Sequence, residues 1–71
     1  MLFRSLALKY YGKKDYFRAS SLLEELIPLV RGTKKAEIVN YYYANCEYGM
    51  GEYLMAAYYY DNFTKTFPNS E

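Results

Sequence analysis

The apolar positions of this chain fall into stripes of helical spacing. Ala19, Leu22, Leu23, Leu26, Ile27 and Val30 stand at i, i+3, i+4, i+7, i+8 and i+11, one face of a helix with 3.6 residues per turn. Val39, Tyr42, Tyr43, Cys46 and Met50 form a second stripe. Tyr53, Ala56, Ala57, Tyr60, Phe63, Thr64 and Phe67 form a third. A further helix, roughly Leu6 to Tyr11, precedes them with about two turns.

Breakers stand between the stripes. Gly12 and the Gly49–Gly51 pair are expected to supply the left-handed or tight positions between helices. Asp15 and Glu52 follow them and place negative charge where the next helix leaves N–H groups free. Gly32 and Thr33 read as a C-cap followed by an N-cap. Pro68 stops the last helix, with Asn69 and Ser70 as turn residues. Pro28 lies inside the first long stripe and deprives the Glu24 carbonyl of its partner, which predicts a kink or a tightened last turn.

The chain repeats itself. Residues 11–19 read "YGKKDYFRA" and residues 48–56 read "YGMGEYLMA", sharing Tyr-Gly-x-x-acid-Tyr-x-x-Ala at an offset of 37 residues. Ala7 matches Ala44 at the same offset. Each unit is then helix, tight turn, helix. Such a pair cannot bury both apolar faces alone, but stacking on the next pair can. The predicted fold is all-α, about two helix-turn-helix repeats of an α-solenoid. Residues 6–32 form the first pair, its first helix truncated, and residues 33–71 the second. Met1–Ser5 reads as a leader outside the fold. Leu2-Phe3-Arg4-Ser5 is what the end of a common sequencing adaptor spells in one frame, so the native sequence is expected to start near Leu6.

Composition narrows the chemistry. With 71 residues the core contributes only ~3–5 kcal/mol, the lower edge of independent stability. A net charge of +1, with acids interspersed among Lys13, Lys14, Lys34 and Lys35, gives no bulk attraction to nucleic acid or acidic lipid. There is no histidine and one cysteine, which removes Cys/His zinc sites, histidine general bases and an intrachain disulfide. Cys46 stands in an apolar run and reads as a small buried hydrophobe. No catalytic residues, metal or cofactor are expected.

These residues resemble tetratricopeptide repeats, helix pairs of about 34 residues. In that family the second helix opens with Gly-acid-Tyr, a small residue follows three positions on, and proline comes near the end. Gly51, Glu52, Tyr53, Ala56, Tyr60 and Pro68 match in order. In the first unit Asp15, Tyr16 and Ala19 match, but Lys14 stands where glycine is usual and Arg31 where proline is usual. Asn40 and Glu47 replace bulky apolar residues on the first helix of the second unit. Over nearly all of residues 6–71 the chain resembles, more specifically, the N-terminal repeats of the BamD family (older name YfiO). The likeness is carried by "RGTKKAE", "YYYANCEY" and "FPNSE". Members are outer-membrane lipoproteins that serve the machinery folding β-barrel proteins. The resemblance implies barrel-assembly subunits and unfolded barrel substrates as partners, at the periplasmic face of the outer membrane. It also implies an upstream lipid-bearing cysteine, which Cys46 is not.

Carried over from the same resemblance, the first helix of each pair lines a concave groove. That assigns Leu8 and Tyr11 in the first unit and Ile38, Tyr41, Tyr42, Asn45 and Tyr48 in the second as groove residues. Repeat packing falls to Ala19, Leu23, Leu26, Ala56, Tyr60 and Phe63. Tyrosine supplies a rigid apolar plate with a hydroxyl at its rim, and Asn45 offers both a donor and an acceptor to a peptide amide. The alternative is that these tyrosines pack on a neighbouring repeat or sit half-exposed. Tyr42 lies on the border between the two. Other functions fit the same pattern less closely. Another tetratricopeptide adaptor, in the periplasm or with a cytosolic chaperone, is the nearest. A single-stranded nucleic-acid binder would use aromatics with interspersed Lys and Arg, but the acids are too many. The chain by itself, with apolar end faces, is expected to self-associate.

Overall fold

The computed structural model describes residues 2–68. Within them the chain forms four α-helices, α1 (Leu2–Gly12), α2 (Tyr16–Val30), α3 (Lys35–Gly49) and α4 (Tyr53–Thr66), and no strand. Each helix packs on the next in sequence, giving two tetratricopeptide-like helix-turn-helix pairs side by side. α1 starts at Leu2, upstream of the Leu6 boundary expected from the stripes, since nothing in Leu2-Phe3-Arg4-Ser5 breaks a helix. Asn69 and Ser70, expected as turn residues, lie outside the described residues.

The two pairs are built on one frame. After α1, the Asp15 N–H donates to the Tyr10 carbonyl at 2.9 Å and the Lys14 N–H to Tyr11 at 2.9 Å. After α3, the Glu52 N–H donates to Glu47 at 2.9 Å and the Gly51 N–H to Tyr48 at 3.0 Å. These are two Schellman closures, each a long bond wrapped around a short one. The left-handed residue that this closure requires is Lys14 (φ 62°) in the first pair and Gly51 (φ 81°) in the second. The expectation that Gly12 takes it is corrected: Gly12 ends α1, and the closure needs its left-handed residue two positions later.

The next helix starts alike in both. Asp15 and Glu52 share their backbone conformation, and their carbonyls accept from Ala19 and Ala56 at 3.0 and 2.8 Å. The Asp15 side chain also accepts from the Arg18 N–H, at 3.3 Å, whereas the longer Glu52 side chain caps nothing. Between the pairs, Gly32 is left-handed (φ 80°). The Thr33 hydroxyl donates to the Val30 carbonyl at 2.6 Å and accepts from the Lys35 N–H at 3.2 Å, closing α2 and opening α3 together. α2 runs through Pro28 to Val30, so the proline costs only the Glu24 carbonyl's partner, and Glu24 is exposed to water.

The core lies between α2 and α3. Leu23, Leu26 and Val30 from α2 meet Val39, Tyr43 and Cys46 from α3, with Ala7, Ala19 and Ala36 beside them. Burying each large aliphatic side chain contributes about 1.5–3 kcal/mol. The repeated alanines Ala7, Ala19, Ala44 and Ala56 are all sealed from solvent, as expected where paired helices cross at short range. The third stripe is corrected in part. Ala56 alone is fully buried on α4, while Ala57 and Thr64 are exposed. Tyr59, absent from the stripe, packs edge-on against Tyr43 with ring centres 4.9 Å apart. α2 is covered on two sides, by α1 and α3. α4 is covered on one side, so fewer of its apolar residues disappear.

Candidate functional site

α1 and α3 meet through their tyrosines. Tyr11 sits edge-on to Tyr42 with ring centres 4.8 Å apart, and to Tyr16 of α2 at 5.7 Å. Tyr42 neighbours Tyr41 at 6.0 Å, and Tyr41 reaches α4 at Phe63 (5.5 Å) and Tyr60 (6.3 Å). The rings make one aromatic surface drawn from both helix pairs, with Tyr11, Tyr42, Tyr60 and Phe63 partly buried and Tyr41 45% exposed.

Asn45 is the polar centre of this surface. Its Oδ1 accepts a hydrogen bond from the Tyr60 hydroxyl, and its side chain is within hydrogen-bonding reach of the Tyr11 hydroxyl. Burial raises the pKa of Tyr11 and of Tyr60, so both hydroxyls stay protonated donors well above neutral pH. Tyr60 occupies one lone pair of the Asn45 oxygen, and one remains.

The structure thus brings together Tyr11, Tyr41, Tyr42 and Asn45 of the residues assigned to the groove. Ile38 is partly buried against the core, and Leu8 is partly buried on α1. Tyr48 stands apart, 60% exposed and paired with Tyr53 at 5.1 Å beside the α3–α4 turn. Of the packing residues, Ala19, Leu23, Leu26 and Ala56 are buried. Tyr60 and Phe63 are partly buried and join the aromatic surface instead. A signal for Tyr60 existed in the sequence. It is the repeat equivalent of Leu23, and a tyrosine at a core position has to deliver its hydroxyl to a partner.

Two further groups have settled environments. Cys46 is fully buried, and burial pushes its thiol up to about 11, so it stays a neutral apolar filler. Glu47, the repeat equivalent of Tyr10, is 9% exposed. Its carboxyl is raised above the usual carboxylate range by burial first and by the charge of Glu52 next, against a lowering hydrogen bond from Tyr43. Beside the tyrosine surface, Ile27, Asn40, Tyr59, Asn62, Phe63 and Phe67 line a depression of about 250 Å³. That is below the ~300–1,000 Å³ of ordinary small-molecule sites. Among the described residues no three His, Cys, Asp or Glu side chains cluster to hold a metal, and no helix is long and apolar enough to cross a membrane.

Set against family models, curated proteins and solved structures, the chain matches none of them.

Proposed function

We propose that this chain is a non-catalytic scaffold that holds polypeptide segments on its tyrosine surface and serves the assembly of β-barrel proteins at the periplasmic face of the outer membrane. One observation carries the scaffold reading. The aromatic surface runs from Tyr11 through Tyr42 and Tyr41 to Phe63, and crosses from one helix pair to the other. Such a surface suits an extended chain better than a compact ligand, because its rings are spread along the repeat axis and the nearby depression is small. Tyrosine rings lose few rotamers on binding and give apolar area with a polar rim. Barrel-forming segments alternate apolar and polar residues and carry aromatic girdles, so an extended segment has one side-chain face that matches the surface. The link to barrel assembly rests on the resemblance of "RGTKKAE", "YYYANCEY" and "FPNSE" to the BamD family.

Photo-crosslinking in the native cell tests this reading, with a benzophenone amino acid replacing Tyr41 or Tyr42 in the gene product. Crosslinks to unfolded barrel precursors or to the barrel-bearing assembly subunit are the expected result. Crosslinks confined to chaperones of the cytosol would overturn the barrel-assembly reading and leave the adaptor reading in its place.

A further inference from the structure

Among the described residues the two barest large apolar side chains are Leu54, 89% exposed, and Phe17, 73% exposed. They are repeat equivalents, each the second residue of its helix after a tight turn. A single exposed leucine is ordinary on a protein surface. The same position left bare in both repeats is a pattern. The end of the chain does not explain it, because Phe17 stands on α2, which packs against both α1 and α3. Both residues sit at one end of the molecule. Tyr16, beside Phe17, lies against Gly49 at the close of α3, and the next turn leads from Gly49 to Leu54. Cations gather at that end. Lys9, Lys13, Lys14 and Arg18 are exposed there, against Glu52 and against Asp15, which pairs with Arg18 at 3.6 Å. The third acid of this end, Glu47, is buried. The ion pairs among the described residues are Arg18–Asp15 and Lys65–Asp61, which leaves Lys13 and Lys14 free.

We infer that this end of the molecule docks on an anionic lipid bilayer, with Phe17 and Leu54 entering the interface and Lys13 and Lys14 meeting the headgroups. The two apolar residues are separate tips, since α2 and α4 both pack on α3 and scarcely on each other. A fluid apolar phase takes separate tips without a matching shape, which a folded protein partner would have to supply. Phenylalanine and leucine bring apolar area to the acyl boundary, and neighbouring lysines add attraction to anionic headgroups. A whole-chain charge of +1 hides this local attraction, because acids elsewhere offset it. The opposite end carries Arg31, Lys34 and Lys35 but one bare apolar residue, Leu29, whose repeat equivalent is Thr66. It offers charge with a single anchor and serves as the control. This inference is independent of which polypeptide the tyrosine surface holds.

The chain has no tryptophan, so a single one reports its own surroundings. Phe17→Trp, Leu54→Trp and Leu29→Trp each replace an exposed side chain and leave the core untouched. They are titrated with vesicles of phosphatidylglycerol and phosphatidylcholine, and with vesicles of phosphatidylcholine alone. Emission is expected to shift to the blue at positions 17 and 54 on the anionic vesicles, and not at 29. In vesicle co-sedimentation, Phe17→Ser and Leu54→Ser should each weaken binding roughly tenfold. Lys13→Gln combined with Lys14→Asn should weaken it similarly, and added salt should do the same to wild type. No shift at 17 and 54 at any lipid concentration would overturn the inference. So would insertion at 29 instead, or equal binding to both kinds of vesicle. A blue shift that grows with protein concentration in the absence of lipid would assign these tips to a second copy and overturn the lipid reading.

Discussion

Lys14 and Gly51 hold the same left-handed backbone position in two turns 37 residues apart, at φ 62° and 81°. Both donate the short bond of a Schellman closure, to Tyr11 and Tyr48. Glycine accepts this conformation freely and lysine does not; a non-glycine residue there costs of order 1–3 kcal/mol. Lys14→Gly is therefore expected to stabilise the domain by about 1 kcal/mol, raising Tm by about 4–8 °C in thermal melts at low protein concentration. An unchanged or lowered Tm would count against the equivalence of the two turns.

The glycines preceding those turns behave oppositely despite their shared place in the repeat. Gly49→Ala drives a methyl into the Tyr16 ring, which is itself held by Tyr11. Overpacking costs about 1–3 kcal/mol, and alanine's better helix propensity returns at most ~1, less at a helix end. The net expectation is a loss of about 1–2 kcal/mol in denaturant unfolding. Gly12→Ala meets open space, so its effect on the monomer should be neutral or slightly favourable. Equal effects at both sites would show that the Tyr16–Gly49 contact contributes nothing.

Glu47 makes stability fall as pH rises. Its folded-state pKa is raised, by burial and then by Glu52, so the native state holds that proton more tightly than the unfolded chain. The favourable term is present in acid and is lost as pH climbs through the raised value. Glu47→Gln keeps an acceptor for Tyr43 and removes the charge. Its Tm should exceed that of wild type at neutral pH, and the gap should close as pH drops into the usual carboxylate range. A variant less stable than wild type at neutral pH would contradict this.

The Tyr60–Asn45 hydrogen bond is a cross-helix tie between α4 and α3. A double-mutant cycle with Tyr60→Phe and Asn45→Ala should give a coupling energy of about 0.5–1.5 kcal/mol in equilibrium unfolding. Additive effects would mean that the two side chains are near one another without being tied.

Much of the fold was legible because it is written locally. The stripe from Ala19 to Val30, the buried run of Val39, Tyr43 and Cys46, and the twice-repeated turn each depend on residues close in sequence. The left-handed lysine was not legible. A residue's identity predicts φ > 0 only when it is glycine, and the Schellman bonds fix the position by geometry. Tyr59 was harder still. Three consecutive tyrosines point to three faces of α4, and which ones touch α3 depends on the helix's rotation, set by contacts between helices. The site followed the same division. Tyr11, Tyr41, Tyr42 and Asn45 come from the first helices, where the repeat pattern places a groove. The contributions of Tyr60 and Phe63 appear once α4 is folded back onto α3.

The central claim is that the tyrosine surface holds an extended polypeptide. Amide chemical shifts of the labelled chain, titrated with an unfolded peptide spanning two strands of an outer-membrane barrel protein, test it most directly. The account predicts shifts concentrated at Tyr11, Tyr41, Tyr42, Asn45 and Phe63. Shifts confined to the exposed apolar residues of α2, Phe17 and Leu29, or none at millimolar peptide, would contradict it.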